Sequence, residues 1–294
     1  MYKRQGQTLT IVSWTPASQG TLEDNGDGTL TYTPGPGYSG ADSFTYTITD
    51  GEDEATATVA IGVLPPPGPP VSDDFHSGLD PVWRIEGPAG TSATTGTTGE
   101  ESYLALTTSA GNHDLWGGGN NAARVLQTVA DGDMSLEAKF LTTPTERYEM
   151  QGILVEQDAQ NWIRFDTYSD GTTLRAFAAV TVNGSSAARI SAGIPGGTAP
   201  YLRVDRAGDT WSFYYSTDGT AWTLAGSFDQ ALTVTGVGPF AGSTSGSGGF
   251  TAEVDYFESS TDPLTSEDGV VIPNLLPVAG DDAVQTDQDV AVQI

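Results

Sequence analysis

The chain has 294 residues, 38 of them acidic against 11 basic, a formal charge of −27 at pH 7 and no cysteine. Such a charge repels nucleic-acid phosphates and anionic lipid head groups, so neither nucleic acid nor a membrane is expected as a partner. Disulfides, thiolate zinc sites and thiol catalysis are excluded, and no apolar run approaches the roughly 18 residues of a membrane-spanning helix.

Residues 1–5 fit no later pattern and are left out of the fold reading. Asp27-Gly28 predicts a tight turn, Thr29 to Thr33 an alternating strand ended by Pro34, and residues 35–40 a glycine-rich bend. Phe44 to Ile48 reads as a second strand, Asp50-Gly51 as its turn and Ala55 to Val63 as a third strand. Asp24-Asn25-Gly26-Asp27-Gly28 begins like an EF-hand calcium loop, but the twelfth position is not acidic and a strand follows at once, so a hairpin turn is expected. DGTLTYTP, then GADSFTYTITDG, then TATVAIGV resemble the bacterial cadherin-like, immunoglobulin-like tandem repeats of large secreted proteins. A complete immunoglobulin-like sandwich has roughly seven strands, so residues 1–64 are read as a partial repeat.

Residues 65–71 form a proline-rich linker. Strand signals then crowd residues 72–262: Tyr103–Thr107, Arg124–Val129, Met134–Phe140, Met150–Glu156, Trp162–Tyr168 and Leu174–Val182, followed by Tyr201–Asp205, Thr210–Ser216, Trp222–Phe228 and Phe250–Ser259. So many strands predict an all-β, two-sheet antiparallel sandwich. Alternation sends Ile163 and Phe165 into the inter-sheet core and Arg164, Asp166 and Tyr168 to an outer face. The segments SDDF (72–75), NHDLWGGGNNAARVLQ (112–127), YEMQGILVEQDAQNWIRFD (148–166), STDGTAW (216–222) and VDYF (254–257) resemble the concanavalin A-like lectin/glucanase sandwich. The resemblance is to its regulation-of-enolase-like group, related to the C-terminal domain of some bacterial β-xylosidases. It implies a jelly-roll type sandwich and leaves the activity open, because this fold hosts lectins, hydrolases and structural modules.

A retaining glucanase on this sandwich needs two facing carboxylates about 5–5.5 Å apart. Its usual Glu-x-Asp-x-x-Glu strand is missing; Glu149 and Glu156 point to opposite faces of a regular strand, and Glu156-Gln157-Asp158 reads as a turn. His76 and His113 have no nucleophile-elbow partner, so no enzyme is expected. Carbohydrate binding suits the residues better, since aromatic faces stack on sugar C–H surfaces while amides, carboxylates and arginines bind hydroxyls. His113, Asp114, Trp116, Asn120 and Arg124 gather on one loop, and Tyr148, Gln151, Arg164, Asp166 and Tyr168 lie on neighbouring strands. The competing reading makes Trp116 and Tyr148 core or edge residues and Arg164 with Asp166 an ordinary cross-strand pair.

The resemblance further implies a structural Ca²⁺ joining first and last strands, with Asp255 of VDYF as ligand and Asp73 or Asp74 meeting it. Residues 263–275 read as a second linker and 276–294 as the start of another repeat, where Asp281 and Asp282 form a weaker inter-repeat calcium candidate. The expectation is a piece of a longer extracellular or cell-surface bacterial protein that binds a glycan or cell-surface partner without catalysis. An accessory domain of a secreted glycoside hydrolase and a purely structural spacer are the alternatives; the oligomeric state is open.

Overall fold

A computed structural model describes residues 9–63, 66–244 and 249–271. The chain divides into two compact units, residues 1–67 and 68–294. The described residues contain strands and no helix.

In the first unit the strands are β1 (Thr10–Trp14), β2 (Gly20–Asp24), β3 (Leu30–Pro34), β4 (Gly40–Thr49) and β5 (Glu54–Val63). They form a three-stranded sheet in the order β1-β4-β5 and a separate β2-β3 hairpin. The hairpin turns through Asn25–Gly28, where Gly28 sits at φ 90° and Asp27 accepts the Thr29 amide and hydroxyl. Asp24 likewise accepts the Gly26 amide, so both acids of the calcium-like run cap a turn. Asp42 ties the two sheets together: its buried carboxylate accepts the Ser18 and Gln19 amides, the Ser18 hydroxyl and the Tyr32 phenol. Burial pushes this carboxyl up, but the amides of Ser43 and Gln19 and the Ser18 and Tyr32 hydroxyls prevail and hold it at about 2.

The second unit is the sandwich. Its strands are β6 (Trp83–Glu86), β7 (Ser92–Thr98), β8 (Glu101–Thr108), β9 (Leu115–Trp116), β10 (Gly119–Asn120), β11 (Ala123–Thr128), β12 (Met134–Phe140) and β13 (Glu149–Asp158). There follow β14 (Asn161–Ser169), β15 (Leu174–Val182), β16 (Ser185–Gly193), β17 (Tyr201–Ala207), β18 (Thr210–Ser216), β19 (Thr223–Asp229), β20 (Gly236–Ser243), β21 (Phe250–Ser259), β22 (Ser266–Glu267) and β23 (Val270–Val271). Two seven-stranded antiparallel sheets result, in the orders β16-β15-β14-β13-β20-β11-β6 and β19-β18-β17-β12-β21-β8-β7. Between them lies the main core, with Ile153, Ile163 and Phe165 from the first sheet against Leu136, Trp211 and Phe213 from the second.

The first sheet has a second, smaller core on its outer face. Leu126, Met150, Leu154, Trp162 and Phe240 pack there under Leu115 and Ala122 of the 113–122 segment. That cover changes the expected environment of this face. Arg164 and Asp166 point outward from the main core as alternation requires, yet both are buried. Glu156 is another correction: it is not in a turn but pairs with Trp162 and Gly236 inside β13.

Candidate functional site

An open pocket of about 350 Å³ lies on the outer side of the first sheet, lined by Asp114, Trp116, Tyr148, Met150, Arg164, Tyr168, Phe177 and Thr244. Register explains the gathering. Met150 pairs with Tyr168 across β13 and β14, and Asp166 pairs with Phe177 across β14 and β15, so Arg164, Tyr168 and Phe177 share one face. The β9-β10 hairpin brings Trp116 over this face, its ring 6.3 Å from that of Phe177. Phe177 in turn meets Tyr168 edge-on at 5.4 Å, and Tyr168 lies 6.3 Å from Tyr148, so four aromatic rings run along the pocket wall. Trp116 is 45% exposed and Tyr148 38% exposed, large apolar surfaces left open to solvent.

Tyr148 holds a left-handed backbone, φ 65°, which is strained for a residue with a side chain. The conformation is pinned on both sides, by the Tyr148 amide donating to the Ser169 carbonyl and the Thr244 amide donating to the Tyr148 carbonyl. Strain held this way at a pocket wall marks a place where the surroundings over-determine the geometry.

Beneath the rings sits Arg164. Its Nε and Nη2 donate to the two oxygens of Asp166 at 2.8 and 2.9 Å, and Nη1 donates to Asp114 Oδ1 at 2.5 Å. Burial works against the charge of this guanidinium, but the two carboxylates hold its pKa above the ordinary value. Asp166 is fully buried behind it, whereas the Asp114 side chain is 24% exposed. Of these two carboxylates, a pocket occupant can therefore reach Asp114.

The other expected binding residues stand elsewhere. Asn120 donates to Glu156, and Arg124 is bound by Glu86 at 2.6 Å with Glu156 at 3.7 Å, an ion network of its own. Gln151 points to the opposite side of β13, where it exchanges hydrogen bonds with Thr142. His113 bridges Ser243 through its backbone and meets Ser109 Oγ at 3.1 Å through Nε2. His76 similarly meets Ser102 Oγ at 3.0 Å. Neither ring is ion-paired with a carboxylate among the described residues, so the orienting acid of a Ser–His–Asp site is missing from both pairs. Met150, Phe177 and Thr244 were not expected in the site. The alternation Arg175-Ala176-Phe177-Ala178 carried the signal for Phe177; nothing local marked Thr244.

The expected calcium ligands do not converge. Asp73 spends its carboxylate on the Phe75 amide and the Trp83 indole, both at 2.8 Å, although its backbone does bridge Phe257. Asp74 caps the His76 amide. Asp255 is the extra residue of a bulge in β21, between Val254 opposite Phe140 and Tyr256 opposite Lys139. It faces Lys139 Nζ at 2.5 Å, and Glu101 and Glu267 lie 3.1 and 3.5 Å from the same ammonium. Glu101, Asp255, Glu267 and Asp268 bring carboxylate oxygens within 4.8 Å of one another. Lys139 lies among them and sets one positive charge against the four carboxylates. Asp281 and Asp282 lie outside the described residues.

A cadherin-like domain profile matches residues 3–64, and one described as a protein of unknown function (DUF1349) matches residues 93–261. No curated protein matches the chain. Among solved structures, the GH43 BlXynB protein from Bacillus licheniformis is 16% identical over 88% of this chain and 66% of its own, with a TM-score of 0.55. A mutant of the same protein is 21% identical over 75% of this chain and 51% of its own, TM-score 0.53. The xyloglucan PUL GH43B from Bacteroides ovatus is 15% identical over 87% of this chain and 66% of its own, TM-score 0.52. This chain thus spans between half and two thirds of theirs, and the likeness is one of fold. The 93–261 match, by contrast, runs over more than half of the chain and contains every pocket residue; the chain belongs to the DUF1349 family.

Proposed function

We propose that the sandwich is a non-catalytic glycan-binding module of a secreted or surface-attached bacterial protein, with the cadherin-like unit as a spacer. The observation that carries this reading is the open aromatic wall formed by Trp116, Phe177, Tyr168 and Tyr148 beside one reachable carboxylate. Sugar rings stack on such surfaces, and Asp114, Thr244 and the tyrosine hydroxyls can bond their hydroxyls. Hydrolysis has less support, because it takes two carboxylates flanking the scissile bond, and Asp166 is sealed behind Arg164. The fold likeness to GH43 chains, one described as a GH43 glycoside hydrolase, supports a second reading as an accessory domain of such an enzyme.

Binding to a glycan array by wild type and Trp116→Ala tests the proposal. Signal on defined glycans that falls at least tenfold in the variant is expected. No glycan signal from the wild type, or equal signal from both proteins, overturns it.

A further inference from the structure

Resting on the glycan-binding reading, we propose that the pocket selects sugars carrying a free amine, such as de-N-acetylated hexosamine units, over neutral and acidic ones.

The charge balance of the site leads there. Arg164 contributes one positive charge, which Asp114 alone balances, and Asp166 adds a second carboxyl group beside it, so the site carries no net positive charge. An arginine in a sugar pocket ordinarily invites a carboxylate or sulfate. Here its Nε, Nη1 and Nη2 already donate to Asp166 and Asp114, and its side chain is only 4% exposed. Among the lining residues an acidic sugar would meet no unpaired cation, and Asp114 would repel it; Arg147, held against the Tyr148 ring, is not part of the lining.

Asp114 has the opposite effect on an ammonium. The Arg164 guanidinium and the Leu115 amide both donate to its Oδ1. Oδ2 takes no protein donor among the described residues, while the side chain keeps 24% of its surface in solvent. A primary ammonium there gains a charge-assisted hydrogen bond without displacing an existing one. Trp116 and Tyr168 line the same pocket, and the faces of such rings attract cations. The exposed Trp116 ring can carry the apolar face of the same sugar, so stacking and charge recognition come from one residue each. The chain's −27 charge acts in the same direction at longer range, drawing polycationic glycans and repelling polyanionic ones.

Calorimetric titration of the full chain at pH 6 with four probes tests the inference: fully deacetylated chitotetraose, N-acetylated chitotetraose, xylotetraose and tetragalacturonate. Deacetylated chitotetraose is expected to bind at least tenfold more tightly than either neutral probe, with tetragalacturonate weakest. Raising NaCl from 50 to 500 mM should weaken the amine-bearing probe alone, a readout that needs no variant. Asp114→Asn, which keeps an Oδ1 acceptor for Arg164, should remove the amine's advantage, so that deacetylated and N-acetylated chitotetraose bind within about twofold of each other. Equal affinity for amine and neutral probes overturns the amine preference and leaves glycan binding standing. Failure of all four probes together with a blank glycan array overturns both.

Discussion

At the residue scale, Tyr148 shows how the site is fixed. A left-handed backbone costs a residue with a side chain about 1–2 kcal/mol, and glycine would relieve it. The φ of 65° is nonetheless held by hydrogen bonds from both flanking segments, and the ring is thereby turned toward Tyr168 and Arg147. Tyr148→Gly should therefore leave thermal stability unchanged or raise it by about 1 kcal/mol, while glycan binding falls at least fivefold. Denaturant midpoints alongside calorimetric binding check this, and a variant that loses stability and affinity together would mean that the ring is structural packing. Lys139 makes a different residue-scale point. One ammonium at 2.5–3.5 Å from the Glu101, Asp255 and Glu267 carboxyl groups supplies part of the positive charge that a bound cation would give. Chelator should leave the sandwich's melting temperature unchanged, since a ligand stabilises only where it binds the native state. A drop of several degrees with EDTA, reversed by Ca²⁺, would show that the lysine yields to metal.

At the element scale, the least expected strand is β20. It lies in the middle of the first sheet between β13 and β11 although its sequence, GVGPFAGS, holds three glycines and a proline. Pro239 has no amide hydrogen to give a ladder, which ordinarily confines proline to sheet edges. The preceding glycine accommodates it: Gly238 has φ 159°, and a Cβ there would stand 2.0 Å from the Val125 carbonyl oxygen. Gly238→Ala should destabilise the sandwich by about 1–3 kcal/mol, the usual range for overpacking, read as a lowered urea midpoint. Composition hid this strand for that reason. It also hid β16, an edge strand in which Ile190 is the buried apolar residue. The strands with β-branched and aromatic alternation, from Met134–Phe140 through Phe250–Ser259, were legible because each buries one clear face. The site was legible in part. Alternation told which side of β14 Arg164 and Tyr168 take, but a residue's face does not reveal what lies over it. Asn120, Arg124 and Gln151 therefore looked like ligand-binding groups until their partners were in place, Glu156 and Glu86 distant in sequence and Thr142 on the loop before β13.

At the scale of the whole molecule, one carboxyl group in each unit couples folding to pH, and the two act with opposite sign. Asp42 is held at about 2 in the first unit, below its value in an unfolded chain. The stability it contributes is fully present above about pH 4 and is lost as pH falls through about 2. Asp255 in the sandwich is pushed up to about 8 by burial, with Glu267 and Glu101 adding to the shift against the pull of Lys139. The folded sandwich keeps that proton where the unfolded chain has lost it, so this group's contribution is greatest in acid and declines as pH rises from about 4 to about 8. Hydrogen exchange should thus find the Ser18, Gln19 and Ser43 amides opening as pH is lowered from 5 to 2. In the sandwich, the urea midpoint of wild type should decline more between pH 5 and pH 8 than that of Asp255→Asn; parallel declines would remove Asp255 as the source.

The small outer core beneath residues 113–122 has a consequence for how this molecule can diversify. Because Leu115 and Ala122 anchor the segment to Leu126, Leu154 and Trp162 on the far side of the sheet from the main core, its tip can be rewritten without disturbing the packing between the sheets. Trp116 and Asp114 ride on that graftable piece, while Arg164, Tyr168 and Phe177 belong to the rigid strands below. Exchange of residues 116–121, with Leu115 and Ala122 kept as anchors and Asp114 kept as the partner of Arg164, is the change expected to alter the pocket wall with least effect on the packing between the sheets.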